Sequence, residues 1–157
     1  MIPCGVAEII AMLNLRPHPE GGFFAETYRS ARNAGNRSLS TAIYFLVTAA
    51  SPSRMHRVAS DEIWHFYGGD ALEMLQLDPD GASRIVSIGL RLEAGERPQV
   101  LVPAGVWQGV RVVPGGSYAL VGATVTPGFD FDDFEMGDRA ELQARCPDRA
   151  ALVAALT

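Results

Sequence analysis

At least eight short apolar segments, each ended by turn residues, divide most of this 157-residue chain into strand-length pieces. They are Phe23–Ser30, Ser40–Thr48, Glu62–Tyr67, Ala71–Leu77, Ser83–Ile88, Gln99–Val102, Val106–Val113 and Ser117–Val125. Asp78-Pro79-Asp80-Gly81, Pro103-Ala104-Gly105, Pro114-Gly115-Gly116 and Thr126-Pro127-Gly128 separate several of them. Glycine supplies positive φ and proline pre-sets a turn, so these are mechanistic stops and not merely polar gaps. Many short strands with such turns predict an all-β sandwich or jelly-roll barrel. Val6, Ile9, Ile10 and Leu13 recur at helical spacing and predict a short N-terminal helix. Arg139–Arg145 and Arg149–Leu156, parted by Pro147, read as two short terminal helices, and Ser51–Asp61 reads as irregular. The length suits one domain, 1–157, able to bury a core without staples.

Charge narrows the classes of partner. The net charge is −5, the 13 basic residues are all Arg, and no basic run exceeds two residues. That excludes a nucleic-acid footprint. No apolar run approaches the ~20 residues a bilayer span needs. Met1–Leu15 lacks a leading basic residue and is interrupted by Glu8, unlike a signal peptide. Cys4 and Cys146 form no CxxC pair and read as free thiols of a cytoplasmic protein, with a disulfide clasping the two ends as the alternative.

The densest motif is Ser53-Arg54-Met55-His56-Arg57-Val58-Ala59-Ser60-Asp61-Glu62-Ile63-Trp64-His65-Phe66-Tyr67-Gly68-Gly69. It resembles the first cupin motif, in which two histidines one residue apart precede a glutamate and a glycine. His56 stands for the first histidine, Glu62 for the glutamate, and Val58 where the second histidine belongs. Pro103, Gly105 and Gln108 resemble the second motif, with an amide replacing its histidine. His18-Pro19-Glu20-Gly21-Gly22 through Glu26, Tyr28 and Arg29 resembles the Cupin-5 (DUF985-like) family, as does Gly122-Ala123-Thr124-Val125-Thr126-Pro127-Gly128-Phe129. The resemblance implies a jelly-roll barrel of the RmlC-like type, usually a homodimer, in a family whose activity is largely unassigned.

Candidate chemistry gathers on His56 and Glu62. Histidine exchanges protons near neutrality, and Glu62 or Asp61 is a candidate to orient it. Strand alternation puts Trp64 and Phe66 on the face of Glu62, and His65 on the opposite face. Tyr118 is a candidate partner acid. Tyr44, Trp64, Phe66 and Gln108 are candidate ligand contacts within an aromatic pocket. His18 and Glu20 are candidates for its mouth, and Arg29 and Arg57 for anion recognition. A divalent transition metal (Fe, Mn, Ni or Zn) would have to use His56, Glu62 and Gln108, a poorer set than the usual three imidazoles and a carboxylate. The Phe129–Met136 stretch, with alternating Phe and acid, reads as a solvated acidic face, an edge strand or a cover for the barrel end. Three functions follow: an acid–base enzyme acting on a sugar-like or small polar substrate, a non-enzymatic small-ligand binder, and a metal-dependent oxygenase or isomerase.

Overall fold

The computed structural model describes residues 5–157. Helix α1 (Val6–Met12) precedes β1 (Arg16–Pro17), β2 (Phe23–Arg29), β3 (Asn33–Ala34), β4 (Arg37–Ser38) and β5 (Thr41–Thr48). Next come β6 (Ser53–Arg57), β7 (Asp61–Gly69), β8 (Leu72–Leu77) and β9 (Ser83–Ile88). The chain then runs through β10 (Gln99–Val102), β11 (Trp107–Val112), β12 (Tyr118–Thr126), β13 (Glu135–Met136), α2 (Arg139–Arg145) and α3 (Ala150–Ala155). One sheet has the order β1-β2-β5-β12-β7-β10 and the other β13-β6-β11-β8-β9, with β3-β4 as a separate hairpin. All pairings between named strands are antiparallel. This is the expected all-β, cupin-like barrel with flanking short helices.

Alternation sorts the side chains into three cores. Phe45, Val47, Trp64, Leu72, Met74, Val110 and Val121 fill the space between the sheets. Met55, Leu75, Leu77 and Trp107 point out of the second sheet and are covered by Leu142, Cys146, Val153 and Leu156 of the C-terminal segment. Leu46 and Leu120 point out of the first sheet, under Ile9 and Leu15. Among the described residues no helix is long and apolar enough to cross a membrane. Cys146 is a buried free thiol, and Cys4 lies outside the described residues.

One expectation fails in a way that matters. The stretch read as irregular contains β6, which carries His56. Its pattern was obscured by a bulge: Gln108 pairs with His56 and Val110 with Ser53, so Arg54 and Met55 together oppose Gly109. A bulge shifts the alternation by one residue. Ser53 and His56, three apart, therefore both reach Glu20 (2.7 and 3.3 Å). A second bulge occurs in β2, where Glu26 pairs with Ile43 and Tyr28 with Ala42. It brings Glu26 and Arg29, also three apart, to the same cavity.

Candidate functional site

A cavity of about 340 Å³ opens at one end of the barrel. Its wall takes Arg16 from β1, Phe24, Glu26 and Arg29 from β2, Thr41, Ile43 and Phe45 from β5, and Glu62 and Trp64 from β7. His18, Glu20 and His56 form its polar end.

Glu20 organises that end. It is buried, not at the mouth where the sequence suggested it. The preceding loop is pinned from outside: the Arg54 guanidinium donates to the carbonyls of Glu20 (3.1 Å) and Pro19 (2.6 Å). Gly21 follows at φ +106°, and a Cβ there would lie 2.0 Å from the Pro52 carbonyl oxygen, so only glycine fits. Ser53 Oγ donates to Glu20 Oε1 (2.7 Å). The other oxygen, Oε2, stands 3.3 Å from His56 Nε2 and 3.4 Å from His18 Nδ1.

The partners determine the tautomers. His56 Nδ1 meets the Arg54 carbonyl at 2.7 Å, and a carbonyl only accepts, so Nδ1 bears the hydrogen. In the neutral ring Nε2, toward Glu20, then holds the lone pair. His18 Nδ1 accepts the Glu20 backbone N–H (3.2 Å), so its neutral ring carries hydrogen on Nε2. The 3.4 Å approach of Glu20 to that nitrogen is therefore not an ion pair. Burial agrees with these assignments. It pushes the Glu20 carboxyl up to about 8 and draws His18 down to about 4, with His56 adding to the latter. Burial also lowers His56, against the pull of Glu62. Glu20 Oε2 is thus placed to hold a proton against an unprotonated imidazole nitrogen.

Glu62 faces the cavity beside this pair, and burial raises it to about 7. Gln108 Nε2 donates to Glu62 Oε2, while Gln108 Oε1 accepts the Trp64 indole N–H at 2.9 Å. The indole is donor-only, so the amide cannot be flipped. This corrects the possible metal set of His56, Glu62 and Gln108. The amide oxygen is already committed, and its NH2 points at the carboxylate. Val58, also on the wall, offers no donor atom. Among the described residues no group of three or more His, Cys, Asp or Glu is arranged to hold a metal ion. The residues present do not fit the usual cupin metal. Replacing Gln108 with Leu is expected to leave two buried polar groups unsatisfied, at about 1–3 kcal/mol each. A fall in Tm of roughly 10 °C would register in calorimetry. An unchanged Tm would refute the bridging role.

The remaining candidates divide by strand face. Trp64, His18, Glu20 and Arg29 are at the cavity, but Arg29 is engaged by both oxygens of Glu26 (2.9 and 2.8 Å) and by the Phe129 carbonyl (3.1 Å). Tyr118 points away from the cavity. It shares the outer face of β12 with Leu120, against the α1 cluster, while Ala119, Val121 and Ala123 point inward. It is not a partner acid. Tyr44 is likewise outward on β5, edge-on to Tyr67. Phe66 packs against the inter-sheet core without lining the cavity. Arg57 lies outside, paired with Glu135 (2.7 Å) and over the ring of Trp107 (4.5 Å). His65 bonds Thr124 Oγ1 (2.9 Å) on the outer face, as alternation predicts. Asp61 does not orient His56: it accepts the Ala104 N–H (2.9 Å) and braces the turn before β11.

Of the three readings of the Phe129–Met136 stretch, the cover for the barrel end and the edge strand are both found, but the contact of its rings with the two histidines had no place in the sequence reading. Phe131 stacks on His18 (centroids 5.9 Å, 27° between planes), and Phe134 lies 5.5 Å from the His56 ring. The acids of the same stretch anchor it: Arg37 binds Asp130 (3.0 Å) and Asp133 (2.6 Å), and Arg57 binds Glu135. The alternation of Phe and acid was the available signal. Its phenylalanines cap the cavity, and its acids tether the cap.

Comparison with known proteins agrees with this architecture. The model of the family Cupin_5, described as cupin superfamily (DUF985), matches residues 7–137. The uncharacterized protein YML079W of Saccharomyces cerevisiae is 30% identical, with 98% of this chain and 87% of that protein covered. The crystal structure of protein SO0799 from Shewanella oneidensis is 39% identical, with a TM-score of 0.92 and 98% of each chain covered. A hypothetical protein from Leishmania major is 37% identical, with a TM-score of 0.90, covering 98% of this chain and 99% of that one.

Proposed function

The chain belongs to the Cupin_5 family of the cupin superfamily, and from that premise we propose that it is an enzyme that relocates a proton on a small polar, sugar-like or carboxylated substrate held in the barrel. The observation that carries this reading is the Glu20–His56 contact inside the cavity, one group placed to give a proton and the other to take one. Groups whose environments drive their protonation states apart are the usual makings of acid–base catalysis. His56 Nε2 takes a proton from the substrate, and Glu20 Oε2 returns one to the site where negative charge develops. No electrons change hands. The imidazolium and carboxylate so formed restore the resting state by passing one proton across their own 3.3 Å gap. Glu62, fixed by Gln108, gives the cavity a further hydrogen-bonding carboxyl for substrate hydroxyls. Phe24, Phe45 and Trp64 supply apolar wall for a carbon skeleton.

Proton NMR in D2O tests the reading. A panel of sugars, sugar phosphates, sugar nucleotides and small carboxylates is incubated with the protein. At least one compound is expected to lose a C–H signal by enzyme-dependent deuterium incorporation. Compounds that bind and exchange nothing would instead make this a ligand-binding protein.

A further inference from the structure

We infer that the substrate is an anion, a carboxylate or phosphate carried on a small carbon skeleton, and that Arg16 at the cavity wall is the residue that selects it. This rests on the acid–base reading above, since it names the class of molecule that the same cavity takes.

The inference follows from an inventory of charge around the cavity. Four acids face it: Glu20, Glu26, Glu62 and Asp130. Glu26 is neutralised by Arg29, and Asp130 by Arg37. Glu20 is buried with its carboxyl placed to keep a proton against His56, and Glu62 is buried under the Gln108 amide. Among the basic groups, Arg29 spends its guanidinium on Glu26 and the Phe129 carbonyl, and Arg37 lies between Asp130 and Asp133. Arg54 is bound to the carbonyls of Pro19 and Glu20.

Arg16 is different. Its guanidinium carbon sits 5.0 Å from the centre of the Phe24 ring, and among the described residues its N–H groups meet no carboxylate or carbonyl. A guanidinium laid on a ring face keeps its planar edge of donors open, the geometry that binds carboxylate or phosphate through two parallel hydrogen bonds. Phe24 itself is held by β1–β2 pairing, Arg16 opposite Phe24, so the platform is part of the sheet. Arg16 is exposed to water, whereas His18, two residues on, reaches the polar end. Two residues of extended chain span about 6–7 Å. The cavity thus presents an unpaired cation near its opening and the Glu20–His56 pair one small molecule deeper. In a chain of net charge −5, a cation there with no acidic partner among the described residues also discriminates by sign.

The experiment measures binding of inorganic phosphate, acetate and neutral glucose by titration calorimetry, with the wild type, R16Q, R16K and H56N. The wild type is expected to bind at least one of the two anions, and R16Q to weaken it about 10- to 100-fold, the worth of a charged hydrogen-bonded pair. R16K is expected to recover part of the loss, glucose binding to be indifferent to R16Q, and H56N to retain the anion. Added sodium chloride should weaken the wild type and scarcely affect R16Q. Whether phosphate or acetate binds more tightly identifies the anion. Equal anion affinity in wild type and R16Q, or no anion binding at millimolar concentration, overturns the inference. The two readings fail separately. Deuterium exchange on neutral sugars with a KM unmoved by R16Q removes the anion and leaves the acid–base chemistry. Arg16-dependent anion binding without exchange on any compound does the reverse.

Discussion

An H56N protein is expected to fold, to bind the exchanging compound within a few-fold of wild type, and to exchange its C–H about 10²- to 10⁴-fold more slowly. The range is that of a positioned general acid or base. Asparagine suits the test because its side-chain NH2 can occupy the place of Nδ1 and still donate to the Arg54 carbonyl, a contact of 2.7 Å in the wild type. It lacks the lone pair that faces Glu20. Folding is read from circular dichroism and Tm, binding from calorimetry, and exchange from NMR. The pH profile adds a signature that a structural role would not produce. The working pair needs one shared proton. Exchange should therefore fall as pH rises through about 8, where Glu20 loses its proton. It should fall on the acid side when His56, lowered by burial, gains a second. Wild-type exchange rates in H56N would remove His56 from the chemistry and shift attention to Glu62.

The barrel and its motifs were legible because they rest on local patterns. Turn residues end the strands, and alternation put Glu62 and Trp64 inside and His65 outside, as found. The failures share a physical cause. Tyr118 and Tyr44 lie on strands apolar on both faces, where period two alone does not say which side is inward. Tyr118 turns outward to pack under α1, while Tyr44 lies exposed on the same outer face against Tyr67. The bulges at Arg54–Met55 and Thr27 shift the alternation, so no strict count brings Ser53 to the face of His56, or Glu26 to that of Arg29. Proximity along the chain points to Asp61 or Glu62 as the partner of His56. The structure instead supplies Glu20, a residue 36 positions upstream in a loop, held by Arg54 and permitted by Gly21. Sequence-adjacent acids are the natural suspects for a histidine, but here the adjacent ones are occupied by Ala104 and Gln108.

Stability should peak on the acid side of neutrality, and an E20Q protein should keep only the smaller decline that Glu62 brings, ending near pH 7. The sign follows from counting protons. Glu20 and Glu62, ordinarily near 4.5, are raised to about 8 and about 7 in the fold. Between those values the folded chain binds more protons than the unfolded one, so stability falls as pH rises. His18 and His56, ordinarily near 6.5, are lowered, His18 to about 4. There the unfolded chain binds more protons, so stability falls as pH drops below 6.5. Between about 4.5 and 6.5 the lowered imidazoles oppose the raised carboxyls, His18 across the whole interval. Above 6.5 only the carboxyl contribution remains, in a range where exposed acids no longer titrate. Glutamine mimics the protonated Glu20: its oxygen can accept from Ser53 and its NH2 can donate to His56 Nε2. E20Q should exceed the wild type by only about 1 kcal/mol near pH 5.5, one unit above the unfolded carboxyl, and by a few kcal/mol at pH 9, several degrees in Tm. Calorimetric scans at pH values from about 5 to 9 decide the matter. Parallel Tm curves for the two proteins would mean that Glu20 is already ionised at neutral pH. Glu20 would then have no proton to give, and the acid role assigned to it would fall.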